Sequence, residues 1–145
     1  MTEPKIDVYS HALGVCEAFC EVVRAGVKRL ALAHPCDTLE ERDSYLPYAQ
    51  QLCEKYGNYM YIENDSLLTD LFPISMNKDK FNIVFARDPK DLQLYVELHV
   101  RKQNLIAQKQ YHGEARKQLA VEFGHLLSYS DEAIERLISA NTDLE

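Results

Sequence analysis

Three of the four cysteines and two of the five histidines fall between His11 and Cys36. Cys16, Cys20, His34 and Cys36 are donors of the kind zinc accepts, thiolate sulfur and imidazole nitrogen in a Cys₃His set. Cys16 and Cys20 stand one turn apart on one helical face; His34 and Cys36 flank Pro35. Distance argues against a shared ion. The helical pattern runs on to Ala33, which puts Cys20 and His34 about 21 Å apart along a straight helix at 1.5 Å per residue. Only a break near Gly26 would bring the pairs together, and the spacing lacks the CxxC pairs of zinc ribbons. No metal or other cofactor is therefore expected, and the thiols read as small core side chains. Cys36 is the exception. It follows the helix and precedes a second helix start, where a thiol is acidified, so it is the best candidate for a reactive cysteine.

His99 lies beside the apolar stripe of a later helix and His125 lies near Phe123 and Leu126. Both could supply polar groups to a pocket. No HExxH, GxGxxG, P-loop or nucleophile elbow is present. Nine tyrosines include five between Tyr45 and Tyr61. Tyr56, Tyr59 and Tyr61 could form a recognition surface, since tyrosine combines apolar area with a polar tip.

Net charge is −7, yet residues 101–118 carry five basic side chains against one acidic. Arg101, Lys102, Lys109, Arg116 and Lys117 make this a basic island in an acidic chain. The overall charge opposes general nucleic-acid binding. The phrase "FGHLLSYSDEAIERLI" has a helix-turn-helix cadence, but the acidic second helix argues against a DNA groove. No DNA partner is expected. Neither a bilayer-spanning run nor a secretory signal is visible, so a cytoplasmic, soluble protein without a membrane partner is expected.

Elements must position these groups. The steps Leu13, Cys16, Cys20, Val23, Val27, Leu30, His34 define a helical seam, with Ser10 as N-cap and Pro35 as stop. Asp37 with Glu40 restarts helix, which should break near Tyr45 ahead of Pro47 and end at Gly57. Strands are expected near 59–62 and 81–86, with a short helix over 66–73 and a loop over 74–80. Whether the strand pair is parallel is open. Asp88-Pro89 starts a helix to about Gln108; helices over about 114–127 and after Ser130 complete the chain. The expectation is one helix-dominated α+β domain over 1–145. It has five to six helices around a two-stranded sheet and a C-terminal helical hairpin, with 1–9 and 142–145 frayed.

Three functions are compatible with this reading. The favoured one is a binding or accessory module, not an enzyme, using the tyrosine-rich 45–61 segment, the basic 101–117 island, or both. Its partner would be a protein or a second copy of the chain. The alternative is a small-molecule-binding protein or enzyme with a pocket beside the strand pair, where Cys36, His99 and His125 would be the polar groups. The third is zinc binding through Cys16, Cys20, His34 and Cys36.

Overall fold

The computed structural model describes residues 2–145; Met1, the first residue of the expected lead-in, lies outside them. Asp7 accepts a hydrogen bond from the Ser10 amide and caps helix α1 (Val8–Arg24), so the cap is Asp7 rather than Ser10. The helix stops well short of Ala33. Gly26 adopts φ +83°, while its own amide bonds to Val23 and that of Val27 to Val22. That is a Schellman ending, which needs a left-handed residue where it turns. The chain then reverses into strand β1 (Leu30–Leu32). The 3,4 seam continues across this reversal because a three-residue strand is too short to break it.

Thr38, not Asp37, caps α2 (Leu39–Tyr56) by accepting from the Glu41 amide. The helix runs through Pro47 without the expected break; Tyr45, Ala49 and Leu52, all buried, seat it on the core on both sides of the proline. Gly57, at φ +70°, ends it and leads to β2 (Tyr59–Glu63). Residues 66–73 are irregular instead of helical, and the helical turn is α3 (Ile74–Asn77), directly after Pro73. Leu67 and Leu71 still reach the core as single plugs. Strand β3 (Asn82–Ala86) leads to α4 (Pro89–Ala107), capped by Asp88. Helices α5 (Gly113–Leu126) and α6 (Asp131–Ala140), the latter capped by Ser130, form the C-terminal hairpin.

The fold is helix-dominated α+β, with three strands instead of two. Their order is β1-β3-β2 and both pairings are antiparallel. Every residue of β3 is buried, which explains the apolar run after Asn82: both faces of the sheet are covered. Ile83 and Phe85 face Cys16, Ala49 and Leu52 in the α1/α2 layer. Val84 and Leu30 face Tyr95, Leu119, Phe123 and Ile134 in the α4–α6 layer. Each large apolar side chain so buried contributes about 1.5–3 kcal/mol. The segment after α6 is tied down. Asp143 accepts from the Ile74 and Ser75 amides at 3.0 Å, and the Glu145 carbonyl accepts from Arg116. No helix among the described residues is long and apolar enough to cross a membrane.

Candidate functional site

Alternation along β2 turns Tyr59, Tyr61 and Glu63 toward α4, and β3 sends Asn82 the same way, directly opposite Glu63. Helix α4 presents Tyr95, His99 and Lys102 at i, i+4 and i+7, one stripe of a helix. The result is a carboxylate in the interior: Glu63 is 1% exposed. The Tyr95 hydroxyl donates to its Oε2, and His99 Nε2 lies 2.8 Å from the same oxygen. Asn82 Nδ2 donates to Oε1 at 2.8 Å and to Ser66 Oγ at 3.0 Å. A buried carboxylate is tolerated only when its lone pairs are filled in this way.

From the opposite layer Arg42, also buried, donates to the carbonyls of Glu63 (2.7 Å) and Asn82 (3.3 Å) and to Asn64 Oδ1 (2.7 Å). It clamps the ends of β2 and β3 together and brings a positive charge near Glu63. Burial and the Glu63 carboxylate push the Tyr95 phenol well above its usual range. Tyr95 therefore keeps its proton and donates a hydrogen bond to Glu63. The His99 ring meets Tyr95 edge-on at 5.2 Å.

His99 also faces outward. It lines a cleft of about 210 Å³ with Asp65, Ser66, Lys102, Ile106 and Glu145. Lys102 is only 9% exposed. Its ammonium lies over the Tyr111 ring and binds the Glu145 carboxylate at 2.7 Å. With its Nε2–H given to Glu63, a neutral His99 keeps Nδ1 as an acceptor; protonated, it becomes a second donor. The cleft thus offers one fixed ammonium and one imidazole whose ring is oriented by Glu63.

Other predicted site residues go elsewhere. His125 is on another cleft, with Arg29, Glu97 and Arg101, and pairs with Asp131 at 2.6 Å. Cys36 is in the α1/α2 layer, so the three expected pocket groups do not share a cavity. The thiol expected to be acidified and reactive is 1% exposed. Burial, reinforced by Glu41, pushes it up to about 12. The helix-end effect is overcome by desolvation. Cys20 lies beside Cys53 of α2, and the hydrogen bond with that thiol, followed by burial, pushes its own thiol up as well.

The basic island is largely matched within the chain. Arg101 pairs with Glu122, Lys102 with Glu145, Arg116 with Asp70 through two bonds of 2.8 Å, and Lys117 with Glu135. Lys109 sits in the turn after α4 at φ +56°. The tyrosines divide between layers: Tyr45, Tyr48 and Tyr56 pack with α1, whereas Tyr61 packs on Tyr95. Glu63 was missed in sequence. The available signal was Asn82, a polar residue opening the most buried strand.

No protein-family model, no curated protein and no solved structure matches the chain.

The site carries a pH prediction. A phenol whose folded pKa is raised keeps its proton after the unfolded chain has lost one. Stability is then fully present below about pH 10 and falls as pH rises toward the folded value. Tyr95, raised well above 10, and Tyr111, raised by burial to about 12, both act in this sense. The urea midpoint should fall steadily from pH 10 to 11.5, and Tyr95→Phe should flatten that slope. A midpoint independent of pH across this range would contradict the phenol's placement.

Proposed function

We propose that the chain binds a small polar ligand carrying a carboxylate in the cleft beside the ends of β2 and β3. The observation that carries this reading is the Lys102 ammonium, nine-tenths buried beside a histidine that Glu63 holds from behind. The Glu145 carboxylate on Lys102 indicates the group the cleft accepts. The cleft's volume is below the roughly 300–1,000 Å³ of drug-sized pockets, which favours a small metabolite. Lys102 supplies the counter-charge to the carboxylate, His99 Nδ1 an acceptor for a hydroxyl on the ligand, and Ile106 an apolar wall.

The test is thermal unfolding against a panel of small mono- and dicarboxylates. A ligand at a hundredfold excess over its Kd stabilises by about 2.7 kcal/mol. Lys102→Met and His99→Ala should each remove the shift. Glu145→Gln frees Lys102 and should strengthen binding several-fold. If no carboxylate raises the unfolding temperature of either wild type or Glu145→Gln, the reading is wrong.

A second reading keeps the accessory module. Among the described residues the outer edge of β2 has no strand partner, and Tyr59 and Ile62 are exposed beside it. Strand addition by a second copy would satisfy that edge. Sedimentation giving a monomer at every concentration would remove it.

A further inference from the structure

The reversal at Gly26 carries the chain back along the sheet and sets His34 and Cys36 against the first turn of α2. Cys36 is fixed there by a two-way backbone bridge to Phe81, 2.9 Å in each direction. Thr38 caps α2 and so positions Glu41, whose amide it accepts at 3.1 Å. A nitrogen of His34, the sulfur of Cys36 and a carboxylate oxygen of Glu41 lie within 4.8 Å of one another. Among the described residues this is the one group of three or more such donors that converges so closely. It comes from eight consecutive positions that span the segment after β1, the Cys36–Phe81 bridge and the first turn of α2.

The spacing within the group is informative. His34 Nε2 and Glu41 Oε1 are 3.5 Å apart, beyond the range of about 2.7–3.2 Å for a good N–H···O bond. Zinc holds such atoms at about 2.0–2.2 Å. Two ligands at those lengths and a tetrahedral angle stand about 3.3–3.6 Å apart. The pair therefore sits at a coordination edge rather than at a hydrogen-bond distance.

The groups behind these donors support the same arrangement. Tyr45 Oη donates to Glu41 Oε1 and the Asp37 amide donates to Oε2, each at 3.2 Å. The Tyr45 ring meets His34 edge-on at 5.9 Å. Ligating carboxylates and imidazoles are usually oriented by such outer partners. Lys80, the nearby cation, is neutralised by Asp37. Cys36 is buried, while the side chains of His34 and Glu41 are 26% and 30% exposed. An ion would be anchored from inside and open to solvent on one side.

We propose that His34, Cys36 and Glu41 form a zinc site with a fourth position open to water. Thiolate, imidazole and carboxylate together suit zinc better than calcium or magnesium, which take oxygen ligands. Thiolate and carboxylate balance the charge of the ion. Binding replaces the Cys36 thiol proton, now directed at the His34 carbonyl (3.3 Å), and releases it to solvent. Three protein ligands with a solvent position is the pattern of reactive rather than purely structural zinc. Cys16 and Cys20 are not ligands in this arrangement.

Cobalt(II) tests it by spectroscopy on the reduced full-length chain. One equivalent should give tetrahedral visible bands and a near-ultraviolet thiolate-to-cobalt band, both displaced by one equivalent of zinc. Cys36→Ser should abolish the thiolate band. Glu41→Gln, at a side chain 30% exposed, should leave folding intact and weaken binding at least tenfold. Cys16→Ser should leave the spectrum unchanged. The assignment is overturned by absence of the thiolate band in wild type, by its persistence in Cys36→Ser, or by its loss in Cys16→Ser. Binding by Glu41→Gln at wild-type affinity would overturn it as well.

Discussion

Glu63→Ala is expected to destabilise the protein by about 3–5 kcal/mol, because it strands several buried donors that now share one carboxylate. The substitution leaves the Tyr95 hydroxyl, the Asn82 amide and His99 Nε2 facing one another in the interior. Each lost partner carries its own desolvation cost of about 1–3 kcal/mol. Glu63→Gln should cost less, because it keeps one acceptor and the side-chain volume. Its new amide nonetheless opposes a donor, from Asn82 or from Tyr95. Tyr95→Phe in the Glu63→Ala background should cost less than Tyr95→Phe alone, since the two residues share one interaction. Urea unfolding reads all of these as midpoint shifts at constant slope. A loss below 1 kcal/mol for Glu63→Ala would mean that the carboxylate is not the centre of the network. The same variants bear on the cleft. Glu63→Gln touches no ligand, yet it should reduce carboxylate binding, because His99 then loses the carboxylate that orients its ring.

Gly124→Val is expected to cost about 2–3 kcal/mol through steric conflict between α5 and α6. Even an alanine Cβ at this position would stand 2.5 Å from Ile134 Cγ1 and 2.7 Å from Cδ1. Ile134 is 1% exposed and branched at Cβ, so it has nowhere to move. Helix propensity alone predicts the opposite sign, with alanine favoured over glycine by about 1 kcal/mol. A loss of stability in Gly124→Ala therefore isolates the close approach of the two helices. Gly124→Ala combined with Ile134→Val should recover part of it. Circular dichroism melts of the three variants decide the matter, and stabilisation by Gly124→Ala would refute the packing.

Most of the helices were readable because their starts carry local chemistry. Asp88 before Pro89 and Ser130 before two acidic residues are complete statements within four positions. Strand β3 was readable from its branched and aromatic run. Strand β1 was not: Leu30, Ala31 and Leu32 prolong a helical seam, and only the left-handed turn at Gly26 separates them from it. That turn also removes the length argument against bringing the Cys16 region near Cys36. His99 could be picked out on α4, but its meaning could not. Its partner Glu63 lies 36 positions away, and pairing across a sheet leaves no local spacing to read. The basic island misled for a related reason. Arg101, Arg116 and Lys117 look like a free patch until Glu122, Asp70 and Glu135 are brought beside them.

The middle strand of the sheet is the last of the three in the chain. Residues 82–86 pair with 59–63 and with 30–32, so neither earlier strand has a backbone partner until β3 is made. During synthesis from the N-terminus, α1 and α2 emerge before the surface that buries Cys16, Ala49 and Leu52 exists. The pairing with 59–63 closes a shorter loop than that with 30–32, and the entropic cost of closure rises with loop length. Assembly should therefore run from the middle outward, with the amino-terminal layer docking late. A chain stalled before residue 82 would hold two amphipathic helices with no sheet to cover, which makes that stage the one most exposed to aggregation.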